Sequence, residues 1–133
     1  MIGIVIVAHG GLAREYLAAV EHVVGKQRGI RTVAIEEDHD RAAKQAEISA
    51  AADEVDSGGG VVVVTDMFGG SPSNLSLGAC SKGDRQILYG ANLPMLIKLA
   101  KSRNLTVQQA TAAALDAGRR YIDLYVGTGG RGA

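Results

Sequence analysis

Val61-Val-Val-Val-Thr-Asp66-Met-Phe-Gly69-Gly70-Ser71-Pro72-Ser73-Asn74 is the stretch on which the reading of this chain turns. Four consecutive β-branched residues mark a strand buried on both faces, as parallel strands covered by helices are. Asp66 stands at the carboxyl end of that strand, and a glycine pair follows. Ser71 has the side chain of an N-cap, and Pro72 suits the first helical position, where no N–H is needed. Strand, glycine turn and helix start set free backbone N–H groups beside a carboxylate, the layout of an anion site with an acid/base partner. The opening of the chain repeats the plan: Ile2-Gly-Ile-Val-Ile-Val-Ala8 predicts a second buried strand, and it ends in His9-Gly10-Gly11.

Outward from these two strands, apolar residues from Leu12 to Val24 recur at helical spacing and stop at Gly25. Ile30 to Ile35 reads as a strand, and Glu36-Glu-Asp-His39-Asp40 as a charged loop with Asp38 or Asp40 available to cap a helix from Arg41 to Val55. A short helix is expected from Pro72 to about Ala79, a strand over Gln86 to Tyr89, and a helix from Pro94 to about Ser102. Thr106 and Gln109 form a capping box for a last helix reaching about Arg119. Tyr121 to Val126 fits either a prolongation of that helix or an edge strand, and residues 127–133 read as a flexible glycine-rich tail.

Strand and helix thus alternate four times. The implied architecture is α/β, a flavodoxin-like doubly wound parallel sheet of four strands in order 2-1-3-4, in a single domain over residues 1–126. That order makes the first and third strands neighbours, with His9 and Asp66 on adjacent strand ends roughly 5 Å apart in backbone terms.

Composition narrows the function. The chain of 133 residues carries 14 basic and 14 acidic side chains, which argues against a nucleic-acid surface. No apolar run approaches the ~20 residues of a membrane helix, and the start has no basic leader, so the expected location is cytoplasmic, without membrane insertion. The single Cys80 fits a reducing compartment and reads as a small buried residue. His39 among Glu36, Glu37, Asp38 and Asp40 reads as part of a solvated loop rather than a metal site, His22 as surface, and Arg14 as facing solvent. No metal and no cofactor are expected.

The chemistry read from the residues is nucleophilic. A histidine nucleophile needs one ring nitrogen free and the other held by an acceptor that fixes the tautomer. Asp66 fits the acceptor, His9 the nucleophile. Ser71 and Ser73, with the turn at Gly69 and Gly70, offer donors to a transferred phosphoryl group. Gly10, Gly11, Gly69 and Gly70 let a bulky partner approach. Three other readings compete. Gly69-Gly-Ser71-Pro-Ser73 imitates the G-x-S-x-G elbow of a Ser71-based hydrolase, but that fold orders its triad differently and Pro72 removes an N–H of the oxyanion hole. A flavodoxin-like small-ligand module lacks aromatics to stack a flavin, and Gly127-Thr-Gly129-Gly-Arg-Gly132 opens no helix. A receiver-like reading with Asp66 as phosphoacceptor lacks the acidic cluster that holds Mg²⁺.

Val7-Ala-His9-Gly-Gly-Leu-Ala and Asp66-Met-Phe-Gly-Gly-Ser-Pro-Ser-Asn74 resemble the two signatures of the enzyme IIA component of the mannose-family phosphotransferase system. Gly90-Ala-Asn92-Leu-Pro-Met95 resembles that family's third shared segment, and the three cover nearly the whole chain in order. The resemblance implies a cytoplasmic phosphohistidine carrier that takes a phosphoryl group from phospho-HPr and passes it to a IIB component for sugar uptake or to a regulatory target. It implies His9 as phosphoacceptor through Nε2, Asp66 on Nδ1, and Ser71 cradling phosphate, with partner docking at Gly10, Phe68 and Asn92. Phe68 stands where relatives often have Trp. The resemblance also implies a homodimer that exchanges an antiparallel edge strand, for which Tyr121 to Val126 is the candidate. Many relatives continue through a linker into a IIB domain. A related domain feeds phosphate to dihydroxyacetone kinase.

Overall fold

The computed structural model describes residues 1–67, 69–81 and 83–127, together with the backbone of residues 130 and 131. Its elements are β1 (Gly3–His9), α1 (Leu12–Val24), β2 (Ile30–Ile35), α2 (Arg41–Val55), β3 (Val61–Thr65), α3 (Ser71–Ser76), a 3₁₀ turn (Leu77–Cys80), β4 (Arg85–Leu88), α4 (Leu93–Lys101), α5 (Val107–Arg120), β5 (Tyr125–Val126) and β6 (Gly130–Arg131). The four long strands form one parallel sheet in the order β2-β1-β3-β4, as the alternation of elements implies. Every residue of β3 is buried, which is why that strand is a run of valines without alternation.

The two faces of the sheet split the core by parity. Ile4, Ile6 and Ala8 of β1, with Val62 and Val64 of β3, meet α1, α4 and α5 through Ala13, Val20, Leu96, Leu99, Ala110 and Ala114. Val5 and Val7, with Val61 and Val63, meet α2 and α3 through Ile48, Ala52 and Leu75. A one-residue slip of β1 would exchange these sets, so the register is held by packing on both sides.

Local chemistry ends the helices as expected. Asp40 accepts the Ala43 N–H at 3.1 Å and caps α2. The Thr106 hydroxyl accepts the Gln109 N–H at 3.1 Å while the Gln109 side chain accepts the Thr106 N–H at 3.2 Å, a complete capping box. Three details differ from the sequence reading. β1 extends through His9, and β4 lies one residue earlier than Gln86 to Tyr89 because Val61 and Val64 pair with Arg85 and Leu88. The helix at 71 begins with Ser71 in its first turn and Gly70 as the cap, with no side-chain capping bond; Pro72 is therefore one position deeper than expected. The extended backbone of Gly70 (φ −87°, ψ 176°) makes the entry by itself.

After α5 the chain neither continues as a helix nor joins the main sheet: Tyr125 and Val126 pair antiparallel with Arg131 and Gly130. Of the tail read at residues 127–133, residues 128, 129, 132 and 133 lie outside the described residues. Among the described residues, no helix is long and apolar enough to cross a membrane.

At the amino ends of the strands a buried guanidinium ties the fold together. Arg103, 5% exposed, donates to the carbonyls of Ile2 at 2.8 Å and Gly29 at 2.9 Å and also to that of Arg28. Burial, with no carboxylate to offset it among its hydrogen-bond partners, lowers its pKa. Arg103→Met should retain the apolar stem and remove these guanidinium bonds, leaving the Gly29 carbonyl with the Ile4 N–H. We expect a loss of about 2–4 kcal/mol in urea unfolding, with an unchanged m-value.

Candidate functional site

The parallel register brings the two strand-end residues together. Val7 is the partner of Thr65, so β1 runs on through His9 as β3 delivers Asp66 beside it. Asp66 Oδ2 then accepts two bonds from the same residue, the His9 backbone N–H at 3.1 Å and the His9 ring at Nδ1, 2.7 Å away. A carboxylate only accepts, so Nδ1 carries the proton and Nε2 is the nitrogen left free in the neutral ring. The imidazole is about half exposed and the carboxylate nearly covered, at 49% and 10% of their side-chain areas. This asymmetry suits a reactive ring held by a protected acceptor.

Burial opposes ionisation of Asp66, but the hydrogen bonds from the His9 ring and backbone and the attraction of the ring outweigh it and leave the pKa lowered. Among the described residues its other oxygen, Oδ1, is buried without a hydrogen-bond partner, as is the neighbouring Thr65 hydroxyl.

The glycines beside these residues have different tasks. Gly10 (φ +55°) and Gly69 (φ +86°) adopt left-handed backbone that other residues resist, and both turn the chain sharply out of the sheet. Gly70 lies against the imidazole: a Cβ there would stand 3.4 Å from His9 Cε1. Ser71 is partly exposed and, with His9, Gly10, Ile35, Glu36, Glu37 and His39, lines an open depression of about 480 Å³. A second concavity of about 460 Å³ lies between α4 and α5, lined by Pro94, Ile97 and Lys98 among others, and contains neither His9 nor Asp66.

Other residues singled out from sequence are placed differently. Ser73 is 3% exposed and its hydroxyl accepts the Gly69 N–H at 3.4 Å, so it braces the turn and does not line the depression. Asn92 is committed at both ends of its amide: Oδ1 accepts the Met95 N–H at 3.0 Å as the cap of α4, and Nδ2 donates to the Gly118 carbonyl at 3.1 Å. Phe68 lies outside the described residues. Arg14 is exposed, beside Glu15 at 3.7 Å, with its guanidinium over Gly11. Cys80 is half-buried, and burial pushes its thiol up against an opposing effect of Arg85. Among the described residues no group of three or more His, Cys, Asp or Glu could hold a metal ion.

Tyr16 escaped the sequence reading, which used it only as an apolar position of α1. Its hydroxyl donates to the Ala91 carbonyl at 3.1 Å, and the Ala91 N–H donates to the Thr65 carbonyl at 3.0 Å, so Tyr16 fixes the turn after β4 next to Asp66. Burial first, and then the negative charge of Asp66, raise its pKa. The available signal was that a tyrosine on the buried stripe of a helix needs a partner for its hydroxyl.

The comparisons with known proteins follow the same geometry. The family model EIIA-man, described as PTS system fructose IIA component, matches residues 3–117. The mannose-specific EIIAB component of the phosphotransferase system of Escherichia coli (strain K12) is 27% identical over 124 residues, 91% of this chain. The chain spans 38% of the length of that curated relative. Among solved structures, the mannose/sorbose-specific IIA subunit of the phosphotransferase system from Enterococcus faecalis superposes with a TM-score of 0.84 over 94% of this chain and 95% of that one, at 24% identity. The PTS IIA protein associated with the fucose utilization operon from Streptococcus pneumoniae gives 0.75 over 86% and 88%, at 28% identity.

The lowered pKa of Asp66 has a signed consequence. Its ionised form supplies stability that is complete above the ordinary carboxylate value of about 4 and is lost as pH falls through the lower folded value. In urea unfolding from pH 6 to pH 3, the gap between wild type and Asp66→Asn should stay constant and then narrow in acid. A gap that widens as pH falls would contradict this assignment.

Proposed function

The chain belongs to the EIIA-man family of phosphotransferase-system IIA components, and on that premise we propose that it is a phosphohistidine carrier with His9 as the phosphoacceptor. The observation that carries the reading is the double bond-acceptance of Asp66 Oδ2, which holds Nδ1 protonated and leaves Nε2 with its lone pair. Phospho-HPr is the donor. His9 Nε2 attacks the phosphorus, a new P–N bond forms, and the P–N bond to the donor imidazole breaks with its electron pair returning to that ring. His9 becomes a phosphorylated imidazolium whose Nδ1 proton stays shared with Asp66. The nearby carboxylate offsets the positive charge as it develops. Transfer onward to a IIB component, for sugar uptake or within a regulatory relay, is the same exchange in reverse.

Ser71, partly exposed beside His9, is the side chain suited to donate to a phosphoryl oxygen, with the turn at Gly69 and Gly70 admitting the group. Ser73 supports that turn from below. Met67 and Leu12, 53% and 43% exposed, supply apolar surface near the two strand ends for a protein partner, adjoining Gly10. A hydrolase built on Ser71 is disfavoured, because no Ser71–His9 hydrogen bond is present among the described residues and Pro72 removes an N–H that an oxyanion hole would use.

The reading extends to a homodimer. Ile122, Leu124 and Tyr125 are 74%, 64% and 68% exposed, three large apolar side chains left uncovered within four residues of chain. A second copy is the occupant the family resemblance favours. The double variant Leu124→Asp/Tyr125→Asp should run as a folded monomer by light scattering where the wild type runs as a dimer.

The direct test is passage of ³²P from phosphoenolpyruvate through enzyme I and HPr. Wild type should acquire acid-labile, base-stable label, His9→Ala none, and Asp66→Asn should slow labelling by about two orders of magnitude. A folded wild-type protein that takes no label would overturn the proposal.

A further inference from the structure

The loop between β2 and α2 contributes a histidine to the same depression. β1 lies between β2 and β3, so the residues after β2 flank His9 on the side away from Asp66. Ile35 is the register partner of His9, and the Gly10 N–H donates to the Ile35 carbonyl at 3.1 Å. Residues 36–40 therefore leave the sheet directly beside the reactive ring. Glu36, Glu37, Asp38 and Asp40 are exposed, whereas His39 alone is half-buried. His39 Nδ1 lies 2.8 Å from the Glu36 carbonyl, and a carbonyl only accepts, so Nδ1 donates and Nε2 is left over. The far end of the loop is fixed by the Asp40 cap of α2. His39, His9 and Ser71 line one open space.

We propose that His39 is a second contact for the phosphoryl group carried on His9, donating from Nε2 to a phosphoryl oxygen. The inference rests on the phosphohistidine reading. With the ring neutral, Nε2 is an acceptor and has nothing to offer an anion. When the dianionic phosphoryl group arrives, the ring takes a proton from solvent and becomes an imidazolium, with Nδ1–H on Glu36 and Nε2–H on the phosphoryl oxygen. The cation also answers an electrostatic problem of this site. Glu36 and Glu37 line the depression and oppose an incoming anion; His39 stands among them as the group able to offset part of that negative charge. The charged groups that line the depression with His39 are Glu36 and Glu37, and across it His9 with Asp66 behind it; Ser71, from α3, is neutral. Asp38, Asp40 (turned to the α2 cap) and the α2 residue Arg41 are neighbours of His39 along the chain.

Two readouts on the intact protein test the inference. The first is the equilibrium of phosphoryl exchange with phospho-HPr, where His39→Ala should disfavour the phosphorylated form by about fivefold, the size of one partly exposed charge-assisted bond. The second is the ¹⁵N spectrum of the wild-type His39 ring at about pH 8, above the ordinary histidine value: Nε2 should change from unprotonated to protonated on phosphorylation of His9. An unmoved ring nitrogen would overturn the inference, even if His39→Ala weakens exchange, because a purely structural loop anchor gives that result. An unchanged exchange equilibrium in His39→Ala would also overturn it. Failure of wild type to take label would instead strike the phosphohistidine reading itself, and label that survives in His9→Ala but not in His39→Ala would overturn both.

Discussion

The structure depends on the parallel pairing of two strands that have no exposed face. β1 and β3 are buried above and below, and each is locked by side chains that interdigitate with helices on both sides. Neither strand can shift by one residue without exchanging its two packed faces. That rigidity ends abruptly at the carboxyl edge, where His9 is the first residue of β1 to be exposed. A side chain there inherits the positional precision of the core without being enclosed by it. Asp66 meets it from the next strand with one oxygen and two bonds, so ring and backbone are fixed together. The local strain of this arrangement falls on glycines at positive φ, which carry it without steric cost.

The buried strands, the order of the sheet and the meeting of His9 with Asp66 were legible in the sequence for one reason. Continuous β-branched runs between helical patterns admit few topologies, and the doubly wound solution leaves strand ends as the place for chemistry. What escaped the reading was set by individual hydrogen bonds, some local and some between distant residues. Ser71 looked like a cap because serine commonly is one, yet the backbone of Gly70 serves. Ser73 reads as a phosphate donor and Asn92 as a docking residue, yet their side chains bond locally to Gly69 and Met95, and that of Asn92 also to the distant Gly118. Tyr16 and His39 were assigned to an apolar stripe and a solvated loop, both reasonable from spacing alone. Each gains its place from a carbonyl, at Ala91 and at Glu36, that no periodicity reveals.

Membership in the EIIA-man family rests on a match to residues 3–117, which spans all four strands of the main sheet and ends within α5. The apolar strip from Tyr121 onward lies beyond that match. The matched part thus contains the scaffold with its strand-end pair.

Because the four main strands run parallel, the molecule has two unlike poles. The reactive residues gather at one, and the Arg103 knot that joins Ile2 to residues 28 and 29 closes the other. Lys26, exposed in the turn before β2, sits at this second pole. A surface-immobilised or fluorescently tagged form attached there would present its carboxyl edge, with His9 and Asp66, outward. The topology thus supplies a handle remote from His9 and Asp66.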